Sequence, residues 1–175
     1  TAVAAAACYF AAKNGVQSAL MAPTEILAGQ HYATLQRFLE PLGISVGLLT
    51  GSMKAKEKKE VQTAAQDGNL MVLVGTHAIF QKEVQFSNLA LVITDEQHRF
   101  GVEQRSLLAE KGTCPHKLVM SATPIPRTLA LMIYGDLDLS ILGELPNGRK
   151  PIETYAVTGK LRERAYSFIQ KQLEQ

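Results

Sequence analysis

Leu89-Ala90-Leu91-Val92-Ile93-Thr94-Asp95-Glu96 is an apolar run that ends in two adjacent carboxylates. Leu89 to Ile93 shows no polar alternation, which is how a strand buried on both faces reads. Outward from it lie similar short runs: Ser18 to Ala22 (SALMA), Ser45 to Leu49 (SVGLL), Leu70 to Val74 (LMVLV) and Lys117 to Met120 (KLVM). Helical stretches separate the first three. Thr1 to Lys13 is Ala-rich and stops at Asn14-Gly15, a left-handed cap signal. Glu25 to Leu39 has helical spacing, with Ile26, Ala33, Phe38 and Leu39 on or near one face and Pro41 closing it. A helix of mixed charge runs from about Lys54 to Gln66 and ends at Asp67-Gly68-Asn69, its charges reading as a solvated face.

Strands alternating with helices predict right-handed crossovers and an α/β fold: an open parallel sheet with helices on both faces. Ligands of such sheets sit beyond the carboxyl ends of the strands. Those ends are Pro23-Thr24-Glu25, Thr50-Gly51-Ser52, Gly75-Thr76-His77, Asp95-Glu96-Gln97-His98 and Ser121-Ala122-Thr123. Pooled, they make a ridge of hydroxyls, backbone amides and one acidic pair along a single edge.

Composition sets bounds on what this edge serves. The chain has 175 residues and is 46% hydrophobic, which is globular and excludes disordered or collagen-like classes. No apolar run reaches the roughly 18 residues of a membrane span, so a membrane is not an expected partner. Two cysteines, Cys8 and Cys114, make no disulfide framework, and a cytoplasmic setting follows. Cys8 reads as a core residue and Cys114, before Pro115, as a loop thiol. His31, His77, His98 and His116 lack the paired spacing of a zinc site. A net charge of +2 is too small to argue for nucleic acid by itself, so motifs must carry that case.

The acidic pair is the sharpest of them. One carboxylate can hold Mg²⁺, a hard ion that prefers oxygen, while its neighbour orients or deprotonates a water attacking a γ-phosphate. Taken alone, Asp-Glu is more often an ordinary acidic turn, but an apolar strand before it and Gln97-His98 after it weigh against that. With Asp95, Glu96 and His98 as ligands it could also serve a metal-dependent phosphohydrolase, which needs further ligands at other strand ends, such as His77.

Taken together the motifs resemble a family. Asp95-Glu96-Gln97-His98 looks like motif II (the DExH box) of superfamily-two helicases and Ser121-Ala122-Thr123 like motif III. Ala22-Pro23-Thr24-Glu25 looks like motif Ia, and Thr50-Gly51-Ser52 and Gly75-Thr76-His77 like the DNA-contact motifs that follow. DEQHRFGVEQR (Asp95 to Arg105), SATPIPRTLAL (Ser121 to Leu131), YGDLDLS (Tyr134 to Ser140) and ELPNGRKPIET (Glu144 to Thr154) are similar to the RecG branch. The transcription-repair coupling factor shares HRFG and TPIPRT and is the nearest alternative.

This resemblance implies a RecA-like sheet of the P-loop NTPase type. It implies an ATP-driven motor on double-stranded DNA that remodels stalled forks and Holliday junctions, in the bacterial cytoplasm at the nucleoid. Asp95 and Thr1 would bind Mg²⁺, Thr1 would touch the nucleotide, and Glu96 would activate the attacking water. Gln97 and His98 would couple nucleotide state to Ser121 and Thr123. Pro23, Thr24, Glu25, Thr50, Gly51, Ser52, Gly75, Thr76 and His77 would meet the DNA backbone, with Arg99 and Arg127 supporting the same edge.

One departure from the family pattern matters. No G-x-x-x-x-G-K-[ST] occurs in the chain, and that loop supplies most of the grip on a triphosphate. In the family it precedes an Ala-rich helix like Ala2 to Ala12, so Thr1 stands where its last residue would be. The expectation is a fragment: residues 1–148 as a first motor domain lacking the phosphate-loop strand, and 149–175 as a linker and the start of a second. The rest of the helicase would then be its partner, and the fragment by itself would not hydrolyse ATP. Loss of an interior strand would leave two neighbours unpaired or force them to re-pair, and exposed edges invite association. A non-catalytic DNA- or protein-binding module is the other reading.

Overall fold

The computed structural model describes residues 1–95, 111–112, 114–122, 137–144 and 154–173. Glu96, Gln97, His98, Arg99, Thr123 and Arg127 lie outside the described residues. The chain divides into two compact units, Thr1–Ile125 and Pro126–Gln175.

In the first unit, α1 (Ala2–Lys13), α2 (Glu25–Leu39) and α3 (Ala55–Gln66) alternate with β1 (Gln17–Met21), β2 (Val46–Leu49) and β3 (Val72–Gly75). Two more strands follow, β4 (Leu89–Asp95) and β5 (His116–Met120). All pairings are parallel, in the order β2-β3-β1-β4-β5. This is the open parallel sheet that the alternation predicts. Of the two outcomes expected for a missing strand, unpaired or re-paired neighbours, the described residues show continuous pairing from β2 to β5. Among the described residues β5 pairs only with β4, and its first two residues are exposed.

The two sheet faces carry separate cores. Ala4, Ala5 and Cys8 of α1 and Leu35 and Leu39 of α2 pack with Leu20, Val46, Val72, Val74 and Ile93. Ala65 of α3 and the short 3-10 turn His77–Phe80 pack with Ala19, Leu49, Leu73, Leu89 and Val92 on the other face. Alanines let α1 lie close to the sheet, and burial there pushes the Cys8 thiol up to about 11. The buried face of α2 is Ala28, His31, Leu35 and Leu39. Ile26, Ala33 and Phe38, expected on it, are exposed. The helical spacing from Ala28 to Leu39 passes through a histidine, which an apolar template skips.

Alternation along β4 is broken in a way that matters for function. Gln17 pairs with Leu89 and Ser18 with Leu91, so Ala90 is an extra residue, a bulge. Leu89 and Val92 therefore share the α3 face, while Leu91 and Ile93 face α1 and α2. Unbroken alternation from Leu89 would have sent Asp95 to the α3 face. Instead it reaches His31 of α2. Gln17 holds the bulge: its Nε2 donates to Ala65 O (2.8 Å) and Leu70 O (2.7 Å), and its Oε1 accepts from Asn88 N (2.9 Å).

The second unit, in its described part, is a 3-10 turn (Gly159–Leu161) leading into α4 (Arg162–Leu173). Arg162 Nε donates to Tyr166 Oη at 3.2 Å, an i,i+4 pair along the helix. In the expected linker that begins at 149, residues 154–157 carry no regular secondary structure, and 149–153 lie outside the described residues.

Candidate functional site

Strand registers bring the expected ends to one edge. Leu49 pairs with Gly75, Gly75 with Met21, Met21 with Thr94, and Asp95 with Met120. The residues that follow each strand therefore emerge side by side.

At one part of this edge, three loops meet around Glu25. Thr24 caps α2, its Oγ1 accepting from Leu27 N at 3.3 Å, so the helix starts with its first carboxylate aimed outward. Glu25 Oε1 accepts from Ser52 N (2.9 Å) and Oε2 accepts from Ser52 Oγ (2.6 Å). These bonds hold the Glu25 carboxyl below its ordinary 4.5, and the nearby His77 acts in the same direction. Lys58 Nζ donates to Gly51 O at 2.6 Å, pinning the loop after β2 to α3. Thr50 and Ser52 hydroxyls lie 3.3 Å apart.

Accessibility divides the residues expected to meet DNA. Thr24, Glu25, Gly51, Ser52 and His77 are exposed and Pro23 is half-buried, whereas Thr50, Gly75 and Thr76 are buried. Thr76 is only 2% exposed and its Oγ1 has no hydrogen-bond partner. Gly75 has a structural reason of its own: a Cβ there would lie 2.1 Å from Leu49 O. Glu25, a carboxylate, is engaged with Ser52 and organises the loops.

At the other part, Asp95 ends β4 with its side chain 18% exposed. Its Oδ2 lies 2.6 Å from His31 Nε2, and His31 Nδ1 lies 3.3 Å from Thr1 Oγ1. Thr1 occupies the N-cap of α1, yet its hydroxyl makes no cap bond there. Ser121, one residue beyond β5, is exposed beside this tip. The carboxylate of Asp95 and the hydroxyl of Thr1 are hard oxygen donors gathered by one imidazole, the donor chemistry that suits Mg²⁺. Among the described residues no group of three or more His, Cys, Asp or Glu could cage a metal. A one-carboxylate site is the kind Mg²⁺ shares with phosphates and water.

His31, Gln17 and Lys58 are the functional-site residues that sequence reasoning passed over. His31 alone left a signal: a polar residue on the buried face of a helix.

The model of the DEAD/DEAH box helicase family matches residues 1–132. The ATP-dependent DNA helicase RecG of Bacillus subtilis is 53% identical over 175 residues, all of this chain and 26% of that protein. RecG of Aquifex aeolicus is 55% identical over 164 residues, 93% of this chain and 21% of that protein. The chain thus spans about a quarter of the length of the curated relatives it matches. A solved structure of RecG bound to a three-way DNA junction superposes with a TM-score of 0.85 at 41% identity, over 99% of this chain and 23% of that one. The helicase MrfA bound to DNA superposes at 0.62 with 18% identity, over 77% of this chain and 18% of that one, a likeness of fold.

Proposed function

The chain belongs to the DEAD/DEAH box helicase family, and on that premise we propose that it is part of an ATP-dependent translocase on double-stranded DNA. The substrates are stalled forks and branched recombination intermediates, met in the bacterial cytoplasm at the nucleoid. The observation that carries this reading is the division of one sheet edge. Asp95 and Thr1 stand at one part of it, and exposed loop residues of β1, β2 and β3 at the other. Similarity to RecG, whose solved structure holds a three-way junction, supports branched DNA as the partner.

In this reading Asp95 and Thr1 hold Mg²⁺, which supplies positive charge to the phosphates of ATP. Glu96, next in sequence to Asp95, takes the proton of the attacking water. Gln97 and His98 carry the nucleotide state to Ser121 and Thr123, and Arg99 and Arg127 add positive charge for DNA. Thr24, Gly51, Ser52 and His77 meet the DNA backbone, and such contacts suit a motor because they position without reading sequence. Glu25 serves them by holding Ser52 in place. The loop that grips a triphosphate is not among these 175 residues, so turnover is assigned to the whole protein that carries this sequence.

The test is ATP hydrolysis by that protein with and without three-way junction DNA. Stimulation by the junction, lowered about 100-fold or more by Glu96→Gln, is the expected result. Turnover indifferent to both DNA and Glu96→Gln removes the proposal.

A further inference from the structure

We propose that His31 is a positioning residue, aiming the Asp95 carboxylate and the Thr1 hydroxyl at the point where the divalent cation is held. The inference rests on the reading above and adds a residue to it. His31 is 8% exposed, on the face of α2 shared with Ala28, Leu35 and Leu39. A buried imidazole costs stability unless both ring nitrogens are satisfied. Here Nε2 meets Asp95 Oδ2 at 2.6 Å and Nδ1 meets Thr1 Oγ1 at 3.3 Å.

Donor and acceptor roles follow from the chemistry of the partners. An ionised carboxylate only accepts, so Nε2 carries the hydrogen and donates to Asp95. In the neutral ring Nδ1 is then an acceptor, and the Thr1 hydroxyl donates to it. With its hydrogen turned to the ring, Thr1 Oγ1 presents its lone pairs elsewhere, as a cation requires. Asp95 spends one oxygen on His31 and keeps the other. The ring thereby orients two oxygen donors that come from the tip of β4 and the start of α1. A partner that orients a metal-binding side chain in this way typically affects affinity 10–100-fold, roughly.

The first measurement is the ring tautomer, from nitrogen chemical shifts of the ¹⁵N-histidine-labelled chain. The Nε2–H form is expected, its proton slowly exchanging, and lost protection is expected in Asp95→Ala. An Nδ1–H ring, or one unaffected by Asp95→Ala, overturns the geometry. The second measurement is Mg²⁺ titrated against a fluorescent ATP analogue, in the protein that carries this sequence. His31→Leu should raise the Mg²⁺ needed for half-maximal binding at least about tenfold, with affinity for junction DNA changed less than about twofold. His31→Gln keeps an N–H for Asp95 and should recover most of that shift, which a loss of folding could not imitate. An unchanged Mg²⁺ midpoint in both variants leaves His31 a packing residue and overturns the inference, while the motor reading stands on its own turnover. Failure of the wild-type protein to bind the analogue at any Mg²⁺ concentration sinks both.

Discussion

Replacing Gln17 by Leu tests how the fold aims Asp95. The side chain is 2% exposed and bonds three backbone groups, Ala65 O, Leu70 O and Asn88 N, at 2.7–2.9 Å. Leucine fills a similar volume and satisfies none of them. Ala65 O also accepts from Gly68 N (3.3 Å) and Ser87 N (3.4 Å), so its loss is partial. Leu70 O and Asn88 N, in the segments that lead into β3 and β4, lose this partner. At roughly 1–3 kcal/mol for each stranded group, less about 1–2 kcal/mol for the leucine methyls buried, the net loss is about 2–4 kcal/mol. That corresponds to a Tm lowered by on the order of 10 °C. Urea unfolding followed by far-UV circular dichroism measures it, and the slope should stay constant while the midpoint falls. Gln17→Glu should be worse, because a carboxylate cannot donate to two carbonyls. A loss under about 0.5 kcal/mol in Gln17→Leu would refute the claim that this side chain holds the bulge in β4.

Three further outcomes follow from the same contacts. Gly75→Ala places a Cβ 2.1 Å from Leu49 O, so it should cost about 2–4 kcal/mol by forcing β2 and β3 apart; an unfolding midpoint equal to that of the parent contradicts it. The Glu25 carboxyl lies below 4.5 because Ser52 donates to its charged form. A depressed value means the clamp is intact above 4.5 and is lost only as pH falls through the lower folded value, so the Ser52 amide should stay protected from exchange down to 4.5, and early loss refutes the clamp. Cys8 is buried with its thiol raised to about 11, whereas Cys114 is exposed. A thiol reagent should therefore label Cys114 quickly and Cys8 only on unfolding, as mass spectrometry of digested protein would read.

Much of the sheet was legible because its strands are short, branched and apolar on both faces. Glu25 to Leu39 is a helix to the residue, and the stops at Asn14-Gly15 and Asp67-Gly68 hold, with Gly15 and Gly68 at positive φ. The misread face of α2 has a single physical cause: the residue at the centre of its buried stripe is His31, buried because Asp95 and Thr1 satisfy it. The direction of Asp95 was not legible, since it depends on a bulge that only the pairing of β4 with β1 creates. Nor could local sequence show that Glu25 spends its carboxylate on Ser52, 27 residues away. Which of the two outcomes a missing strand would produce, unpaired or re-paired neighbours, was not legible either. Strand order is decided by which faces pack, and β1 sits between β3 and β4 with both edges paired.

The measurement that tests the account most directly is triplex displacement on duplex DNA by the protein that carries this sequence, with wild type beside Asp95→Asn. The account predicts removal of the third strand only with ATP and Mg²⁺, and its loss in Asp95→Asn while binding to a three-way junction persists. Displacement that needs no nucleotide, or that survives Asp95→Asn unchanged, would contradict it.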